Sequence, residues 1–262
     1  MDNQNFLFLS IGAYIGVSMR LEIVSIVGNI LTEQTIPMDI FDNFIGSFVI
    51  GFYNERYKNR DFSSHLAIST GFCGCLTTFS SWIIGVIELA NSEQWYNCII
   101  NIFIGSTVAY SGFKLGQNAE IEFKFPFHQK LIYLAFLKLI IFQVLFQRWS
   151  MIVTALLSPF GAILRFYISK LNHKEFPFGT LMCNLFAVWI AEALLIQKIH
   201  YDDNGKMIIN SVLKGFCGSL STVSTWIKEI CIMQSIELRF MYYWISIFLS
   251  VYIGLVIYQY LP

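Results

Sequence analysis

Two stretches rich in glycine, serine and threonine interrupt apolar runs and share one pattern. Residues 71–82 read GFCGCLTTFSSW, and residues 215–226 read GFCGSLSTVSTW, 144 positions later. Such residues weaken a helix, and a broken backbone is tolerated at membrane depth only where it is buried in protein or lines a cavity. The free backbone groups of an interrupted helix can face ions. Each stretch is therefore a candidate ion site at a helix break.

Close helix packing is the alternative interpretation of a single glycine- and hydroxyl-rich helix. Other repeated motifs indicate that the chain is a duplication of one unit. The pattern Gly16–Arg20 returns as Gly161–Arg165, and Asn43–Gly46 returns as Asn184–Ala187. Because these echoes keep the same order at nearly the same offset, the duplication favours the functional interpretation of the breaks.

The composition indicates a protein that lies in a lipid bilayer. Of 262 residues, 56% are hydrophobic and 13% are charged, whereas a soluble domain averages about 25% charged residues. Lys+Arg and Asp+Glu are equal at 17 each, so no net charge attracts nucleic acid. The six cysteines lack metal-site spacing, and we expect them to be packing residues. We also expect no removable signal peptide, because the first apolar run is itself a span.

The apolar runs predict an all-α membrane protein with about nine spans. A transmembrane helix needs about 20 mostly apolar residues. The runs divide the chain into a four-helix repeat at residues 1–117, a linker with one span at residues 118–150, and a second four-helix repeat at residues 151–262. The expected spans are Phe6–Val27, Ile40–Tyr53, His65–Ala90, Trp95–Leu115, Leu131–Phe146, Met151–Leu171, Phe178–Gln197, Met207–Met233 and Phe240–Tyr260.

The unpaired fifth span predicts that the two repeats are inverted. One crossing between two four-helix units turns the second unit upside down relative to the first. With that topology, ten basic loop residues fall on one side of the membrane and four on the other. Since cytoplasmic loops carry the excess of Lys and Arg, we expect a cytosolic N-terminus and an extracellular C-terminus.

The motifs quoted above resemble those of the Fluc (CrcB) fluoride channels, and the four-one-four plan resembles their fused eukaryotic form, the FEX fluoride exporters. The resemblance covers both repeats. It implies a monomeric pseudo-dimer of two antiparallel units with two narrow pores and a structural Na⁺ between them. It also implies a passive, fluoride-selective channel that exports cytosolic fluoride across the plasma membrane for fluoride resistance.

The resemblance assigns roles to particular residues. Backbone carbonyls at the two breaks would hold the Na⁺, at Gly74, Thr77, Gly218 and Ser221. Two arginines, Arg20 and Arg165, would lie near the pore mouths and raise the local anion concentration or pair with carboxylates. The pore would be lined by Asn43, Phe79, Trp82, Asn184, Trp226 and the position of Val223.

A physical account agrees with these roles. Fluoride is small and strongly hydrated, so a dry pore must replace water with donors. Asparagine amides and nearby hydroxyls can serve, and so can the positive edges of aromatic rings. The hydroxyls that we expect to contribute are those of Thr78, Ser80, Thr222 and Ser224.

The second repeat departs from the family pattern and suggests one working pore. Val223 stands where a ring is expected, while Tyr242, Ser246 and Ser250 form a hydroxyl stripe at helical spacing. When Gly254 is aligned with Gly112, the positions in the first repeat that correspond to the stripe are apolar. We therefore expect one pore to combine Phe79 with the stripe. The aligned apolar residues are Ile100, Ile104 and Val108.

Other functions fit the sequence less well. No nucleophile and base stand at helical spacing, so an enzyme is not expected. A proton-coupled small-multidrug-type transporter also uses inverted four-helix units, and it needs a membrane carboxylate, for which Glu22, Glu88 and Glu192 are candidates. A non-transporting scaffold would not explain twin helix breaks. No ATP-binding motif is present, which agrees with passive conduction.

Overall fold

The protein is all-helical, as the composition and periodicity predict. The computed structural model describes residues 2–28, 36–56, 61–120 and 129–260, and these contain no β-strand. Linker residues 121–128 and the basic residues of the loop after the second helix lie outside the described ranges. Every predicted span corresponds to a helix or to a helix with a break.

Two sets of five helices follow each other, with one helix between them. The first set comprises α1 (Asn3–Gly28), α2 (Ile40–Arg56), α3 (residues 62–76), α4 (Phe79–Asn91) and α5 (Trp95–Asn118). The linker helix is α6 (Gln129–Leu145). The second set comprises α7 (Trp149–Ile168), α8 (Phe178–Gln197), α9 (residues 203–220), α10 (Val223–Ile232) and α11 (Ile236–Tyr260).

Six helical segments in the described ranges are long and apolar enough to cross a membrane. The second helix has 17 residues, and the linker contributes a shorter apolar helix over Ile132–Leu145. The count of nine spans therefore stays a prediction. The six segments are Asn3–Gly28, Phe62–Asn91, Trp95–Asn118, Trp149–Leu171, Phe178–His200 and Ile236–Gln259.

Glycines let the first helix of each repeat lie directly against the helix that precedes the break. A Cβ atom on Gly16 would lie 2.5 Å from the carbonyl oxygen of Phe72. A Cβ atom on Gly161 would collide in the same way with the carbonyl of Phe216. The equivalent contacts of α1 with α3 and of α7 with α9 show that the repeats share one internal packing.

The core lies where the two repeats meet, around the residues that follow the breaks. Phe79, Trp82, Val223 and Trp226 are buried in one cluster with residues of α8 and α11. Five of the six cysteines are also buried, and all six are free thiols. Their burial agrees with the expectation that they are packing residues.

The linker helix is attached to the first repeat by one buried polar side chain. Gln143, 1% exposed, accepts a hydrogen bond from the Tyr14 hydroxyl at 2.6 Å and donates one to Ser18 Oγ at 3.1 Å. Lys138 lies on the exposed side of the same helix. The same face of α6 also packs apolar groups on α1, with the ring of Phe136 5.2 Å from that of Tyr14.

The close approach of α1 to α3 makes a prediction about stability. Gly16→Ala forces a methyl group against backbone that cannot rotate away, so we expect a loss of about 1–3 kcal/mol in unfolding free energy. Gly85→Ala is the matched control, because a Cβ there meets nothing within 4 Å. Thermal unfolding of the two purified variants in detergent, followed by size-exclusion chromatography, measures the difference. Equal melting temperatures would contradict the packing described here.

Candidate functional site

Each motif ends a helix at two extended residues, as the sequence predicts. Thr77 has φ −84° and ψ 149°, and Thr78 has φ −141° and ψ 123°. In the second repeat Ser221 has φ −86° and ψ 162°, and Thr222 has φ −158° and ψ 133°. Two residues with extended dihedrals cannot continue a helix, so α3 ends and α4 begins anew, and α9 and α10 are separated in the same way.

The two breaks bind each other through exchanged helix caps. Val223 N–H and Ser224 N–H donate to Thr77 Oγ1 at 3.2 and 3.1 Å. In return, Phe79 N–H and Ser80 N–H donate to Ser221 Oγ at 3.2 and 3.0 Å. The first amides of a helix have no partner within that helix. Each repeat therefore satisfies the helix start of the other.

The remaining hydroxyls at the breaks complete the same network. Ser224 Oγ donates to the Cys73 carbonyl at 3.1 Å, and Ser80 Oγ lies 3.0 Å from Ser221 Oγ. The hydroxyls of Thr78 and Thr222 accept from amides of their own helices, those of Ser81 at 3.3 Å and Thr225 at 3.4 Å. All four hydroxyls predicted to meet an anion thus bind protein groups at the crossing of the breaks.

The two asparagines predicted for the pore bind the extended backbone at the breaks. Thr78 N–H donates to Asn43 Oδ1 at 2.9 Å, and Thr222 N–H donates to Asn184 Oδ1 at 2.8 Å. Each amide nitrogen also donates weakly to the carbonyl of the same threonine, at 3.4 Å from Asn43 and 3.3 Å from Asn184. A direct role in the pore stays a prediction for both residues.

The two arginines cross to the opposite repeat. Arg20 donates to the carbonyls of Gly218, at 2.8 Å, and of Lys214. Arg165 donates to the Thr70 carbonyl at 2.8 Å, and its guanidinium lies against Gly74. Both arginines are 3% exposed, so neither extends to the headgroups. Each guanidinium binds carbonyls before the opposite break, where helix C-termini are negative.

Aromatic rings pack around the crossing. The ring of Phe79 lies 5.7 Å from that of Trp82 and 5.4 Å from that of Trp226, with interplanar angles of 84° and 65°. Trp226 also stacks on Tyr243 at 5.4 Å. Phe79 is fully buried, and so is Val223 at the equivalent place in the second repeat. Only one of the two equivalent positions therefore offers a ring edge.

Two interfaces between the repeats follow from the helix contacts. The helix α4 packs on α8 and α11, and α10 packs on α2 and α5. We call the first interface the Phe79 pathway. It contains Phe79 of α4 and Ser246 of α11, and the side chain of Trp226, from α10, contacts both of them. The second, with Val223, Trp82 and Asn101, is the Val223 pathway. Trp226 Nε1 donates to Ser246 Oγ at 3.1 Å, and Trp82 Nε1 donates to Asn101 Oδ1 at 3.0 Å.

The predicted hydroxyl stripe of α11 is buried. Tyr242, Ser246 and Ser250 are each 0% exposed. The hydroxyl of Ser246 donates to the Tyr242 carbonyl at 2.6 Å, and that of Ser250 donates to the Ser246 carbonyl at 2.7 Å. The stripe thus lies inside the protein, beside the ring of Trp226.

The sequence alignment of the opposing stripe in α5 is wrong. Ile100 is 44% exposed, and Ile104 and Val108 are only half-buried. The tryptophan bonds instead pair Asn101, 2% exposed, with Ser246. The glycines used for the alignment contact different elements, since Gly112 lies against Phe44 and Gly254 against Ile87. The inner face of α5 therefore carries Asn101 and also Ser106, 7% exposed, which accepts a hydrogen bond from the Tyr243 hydroxyl at 3.0 Å.

A buried carboxylate, Glu229, lies at the start of the stripe. Glu229 Oε1 accepts hydrogen bonds from Thr180 at 2.7 Å and from Asn172 at 3.0 Å. Its Oε2 accepts from the Tyr242 hydroxyl at 2.8 Å. The sequence signal for it was a glutamate seven residues after Thr222, the last residue of the break. Gly85 occupies that position in the first repeat, so the network belongs to the second repeat alone.

A cavity of about 590 Å³, lined by residues of both repeats, reaches the breaks. Its wall includes Thr78 and Ser80 at the break, Trp82 and Asn101 of the Val223 pathway, and Arg20. Arg20 lies on this cavity wall with its donors directed to carbonyls, and its role at a pore mouth stays a prediction. The other charged residues of this wall are Asp39, Glu88, Lys198 and Lys214.

Comparison with known proteins places the chain in a family. Fluoride export protein 1 of Saccharomyces cerevisiae is 26% identical over 82% of this chain and 82% of its own length. The protein of the same name from Candida albicans is 27% identical over 84% of this chain and 70% of its own length. The Fluoride-specific ion channel FluC of Methanococcus aeolicus is 35% identical over 38% of this chain and 82% of its own length.

No solved structure matches the chain significantly. The family described as CrcB-like protein, Camphor Resistance (CrcB), matches twice, over residues 7–117 and 152–259. These two matches contain both helix breaks and exclude the linker helix. With two copies of the family pattern in one polypeptide, the chain belongs to the CrcB-like family.

Proposed function

We propose that this protein is a passive, fluoride-selective anion channel that exports cytosolic fluoride across the plasma membrane. The observation that carries the proposal is the Phe79 pathway, where a ring edge, an indole N–H and a buried hydroxyl stripe meet between the repeats. Relatives named fluoride export proteins and fluoride-specific ion channels support the choice of ion. Those names describe transport proteins, and catalysis is no part of the proposal.

The donors of the Phe79 pathway suit a dehydrated anion. A serine hydroxyl can rotate, so Ser246 and Ser250 can turn their hydrogens from helix carbonyls to a passing ion. Asn184 uses one amide hydrogen on the Thr222 carbonyl and keeps a second hydrogen for an anion. Phe79 offers the positive edge of its ring. Together these groups can replace part of the hydration shell that fluoride loses in a dry pore.

We propose that only the Phe79 pathway conducts. Val223 presents methyl groups where Phe79 presents a ring, and methyl groups have no quadrupole. The hydroxyl stripe and the Glu229 network both lie on the side of the Phe79 pathway. The Val223 pathway has Asn101 and Gly105 in place of the two stripe serines.

Reciprocal arginine contacts support inverted repeats. Gly16 lies beside Phe72 and Leu76, so Arg20, one turn further along α1, is level with residues that follow the first break. Arg20 nevertheless binds Lys214 and Gly218, which precede the second break. This contact supports two repeats that run in opposite directions at this point. Arg165 repeats the arrangement, since it reaches Thr70 before the first break.

The inverted repeats form a monomeric pseudo-dimer with nine spans, a cytosolic N-terminus and an extracellular C-terminus. Its physiology rests on weak-acid trapping: neutral HF crosses lipid, ionises in the cytosol, and leaves a fluoride anion that lipid excludes. An inside-negative potential then drives the anion outward through a passive channel. A fluoride-resistance role in the plasma membrane follows from this driving force.

The crossing of the breaks is also where we propose a structural Na⁺. Its ligands would be backbone carbonyls of Gly74, Thr77, Gly218 and Ser221. The fit is supported by the extended dihedrals, which free carbonyls at two helix C-termini, and by the dipoles of those ends, which favour a cation. Gly218 already accepts from Arg20 and has one lone pair left for the ion.

Fluoride efflux from liposomes tests the proposed function and the unequal pathways together. Phe79→Val makes the two ring positions alike, and we expect it to slow efflux by roughly a hundredfold, or about 2.7 kcal/mol of lost stabilisation. Val223→Ala is the matched control and should leave efflux unchanged. A fluoride electrode records the release at a valinomycin-clamped potential, with chloride as the comparison anion.

Other results of that experiment would contradict particular parts of the proposal. Equal sensitivity to the two substitutions would mean that both pathways conduct. Release that requires a proton gradient would favour a proton-coupled transporter, and Glu192, a buried carboxylate of α8, would be the first residue to test. No release from the unaltered protein would remove the channel interpretation.

Exchange of cations tests the structural Na⁺ with a readout other than transport. A bound ion stabilises the folded state by about 2.7 kcal/mol when its concentration is roughly 100 times its dissociation constant. We therefore expect the melting temperature of the purified protein to rise with Na⁺ and not with N-methylglucamine at equal ionic strength. Identical melting curves in the two salts would rule out the ion.

A further inference from the structure

Tyr243 of α11 connects the two repeats beside the aromatic rings at the crossing. Its hydroxyl donates to Ser106 Oγ of α5 at 3.0 Å. Ser106 is 7% exposed, and its own hydroxyl donates to the Ile102 carbonyl at 2.7 Å. The ring of Tyr243 stacks on that of Trp226, with centroids 5.4 Å apart and an interplanar angle of 25°. One side chain therefore joins a hydrogen bond between the repeats to a stacked indole.

Three further contacts define the position of the Trp226 indole. Its ring lies 5.4 Å from that of Phe79 at 65°, and 6.1 Å from that of Trp82 at 60°. Its Nε1 donates to Ser246 Oγ at 3.1 Å. Because Tyr243 stacks on one face of the indole, the indole cannot tilt in that direction. Its N–H therefore stays directed at Ser246.

The bond from Trp226 decides the direction of the Ser246 hydroxyl. A serine hydroxyl has one hydrogen and two lone pairs. Since one lone pair accepts from the indole, the hydrogen must point elsewhere, and it is donated to the Tyr242 carbonyl at 2.6 Å. Hydrogen bonds in a chain polarise one another, so the accepted bond makes Ser246 a stronger donor. This hydroxyl can turn its hydrogen to a passing anion without breaking its bond to the indole.

The equivalent contact in the first repeat is apolar. The indole partners Asn101 and Ser246 align α5 with α11. In that alignment a thiol replaces the phenol ring, and an aliphatic side chain replaces the hydroxyl that binds it. The aligned pairs are Tyr243 with Cys98 and Ser106 with Val251. Val251 packs against the apolar cluster that contains Cys98. Among the described residues, this contact of α5 with α11 thus has a hydroxyl bond only on the side of Trp226.

We propose that Tyr243 is a positioning residue for fluoride conduction, which holds Trp226 in the orientation that the Phe79 pathway requires. The inference rests on the proposed fluoride-channel function. Tyr243 acts through the indole and not on the ion, since its hydroxyl is donated to Ser106. The indole in turn sets Ser246 as a donor and fixes the angle at which the Phe79 ring packs. The conducting pathway thereby depends on one bond between the repeats.

Fluoride efflux from liposomes measures the contribution of that bond. Tyr243→Phe keeps the stacked ring and removes the hydroxyl, and Ser106→Ala removes the acceptor. We expect each to slow efflux by about five- to tenfold, because one hydrogen bond no longer fixes the indole. Their combination should be no slower than either alone, since both act through the same bond. Tyr252→Phe, at an exposed tyrosine of the same helix, is the matched control and should leave efflux unchanged.

Fluorine NMR separates positioning of the indole from a general loss of stability. Protein labelled with fluorotryptophan gives a separate signal for each of the six tryptophans, and Trp226→Phe identifies the signal of Trp226. We expect Tyr243→Phe and Ser106→Ala to shift or broaden this signal and to leave that of Trp189 unchanged. Tyr243→Cys introduces the residue of the first repeat and should have a larger effect, because the stacked ring is also lost. Size-exclusion chromatography reports which variants are intact.

Each contrary outcome has a distinct meaning. An unchanged Trp226 signal in the intact variants would show that Tyr243 does not position the indole. A changed signal with unaltered efflux would show that the position of the indole does not matter for conduction, which also overturns the inference. Multiplied effects in the double variant would assign Tyr243 and Ser106 separate roles and remove the bond as the cause. Absence of efflux from the unaltered protein would refute the proposed function, and the inference with it, whatever the NMR signal.

Discussion

The exchange of helix caps between Thr77 and Ser221 is the interaction on which the rest of the structure depends. Each hydroxyl accepts two amide hydrogens from the helix that starts in the opposite repeat. Buried helix starts without such partners would be costly, because each amide would lose water and gain nothing. The caps therefore fix the relative position of the repeats, and with it the two interfaces through which an ion could pass.

The hydrogen bonds that join the repeats are symmetric, whereas the residues beside the two pathways differ. Asparagines, arginines and break residues occupy equivalent places in both repeats and make equivalent bonds. The differences lie beside the pathways, at Phe79 against Val223, Gly85 against Glu229 and Asp39 against Thr180. Duplication within one chain permits this division, since each copy can change alone while the frame is retained.

Local signals were sufficient for the helices and for the breaks. Apolar runs of membrane length predict helices because their backbone groups must be satisfied within the segment. The breaks were predictable because glycine and paired hydroxyl residues repeat at Thr77 and at Ser221 inside such runs. The alignment of α5 with α11 failed because one face of an apolar helix resembles another, and only the indole bonds of Trp82 and Trp226 identify the inner faces.

The sequence by itself determined the duplication, the helices, the break positions and the loss of a ring at Val223, because these depend on residue type and spacing along the chain. Only the tertiary structure decided the partners of the polar groups. It directs Asn43 to a backbone amide, Arg20 to carbonyls of the other repeat, and Tyr242 to Glu229. Hydrogen bonds between distant segments depend on how the repeats cross, and no local pattern encodes that crossing.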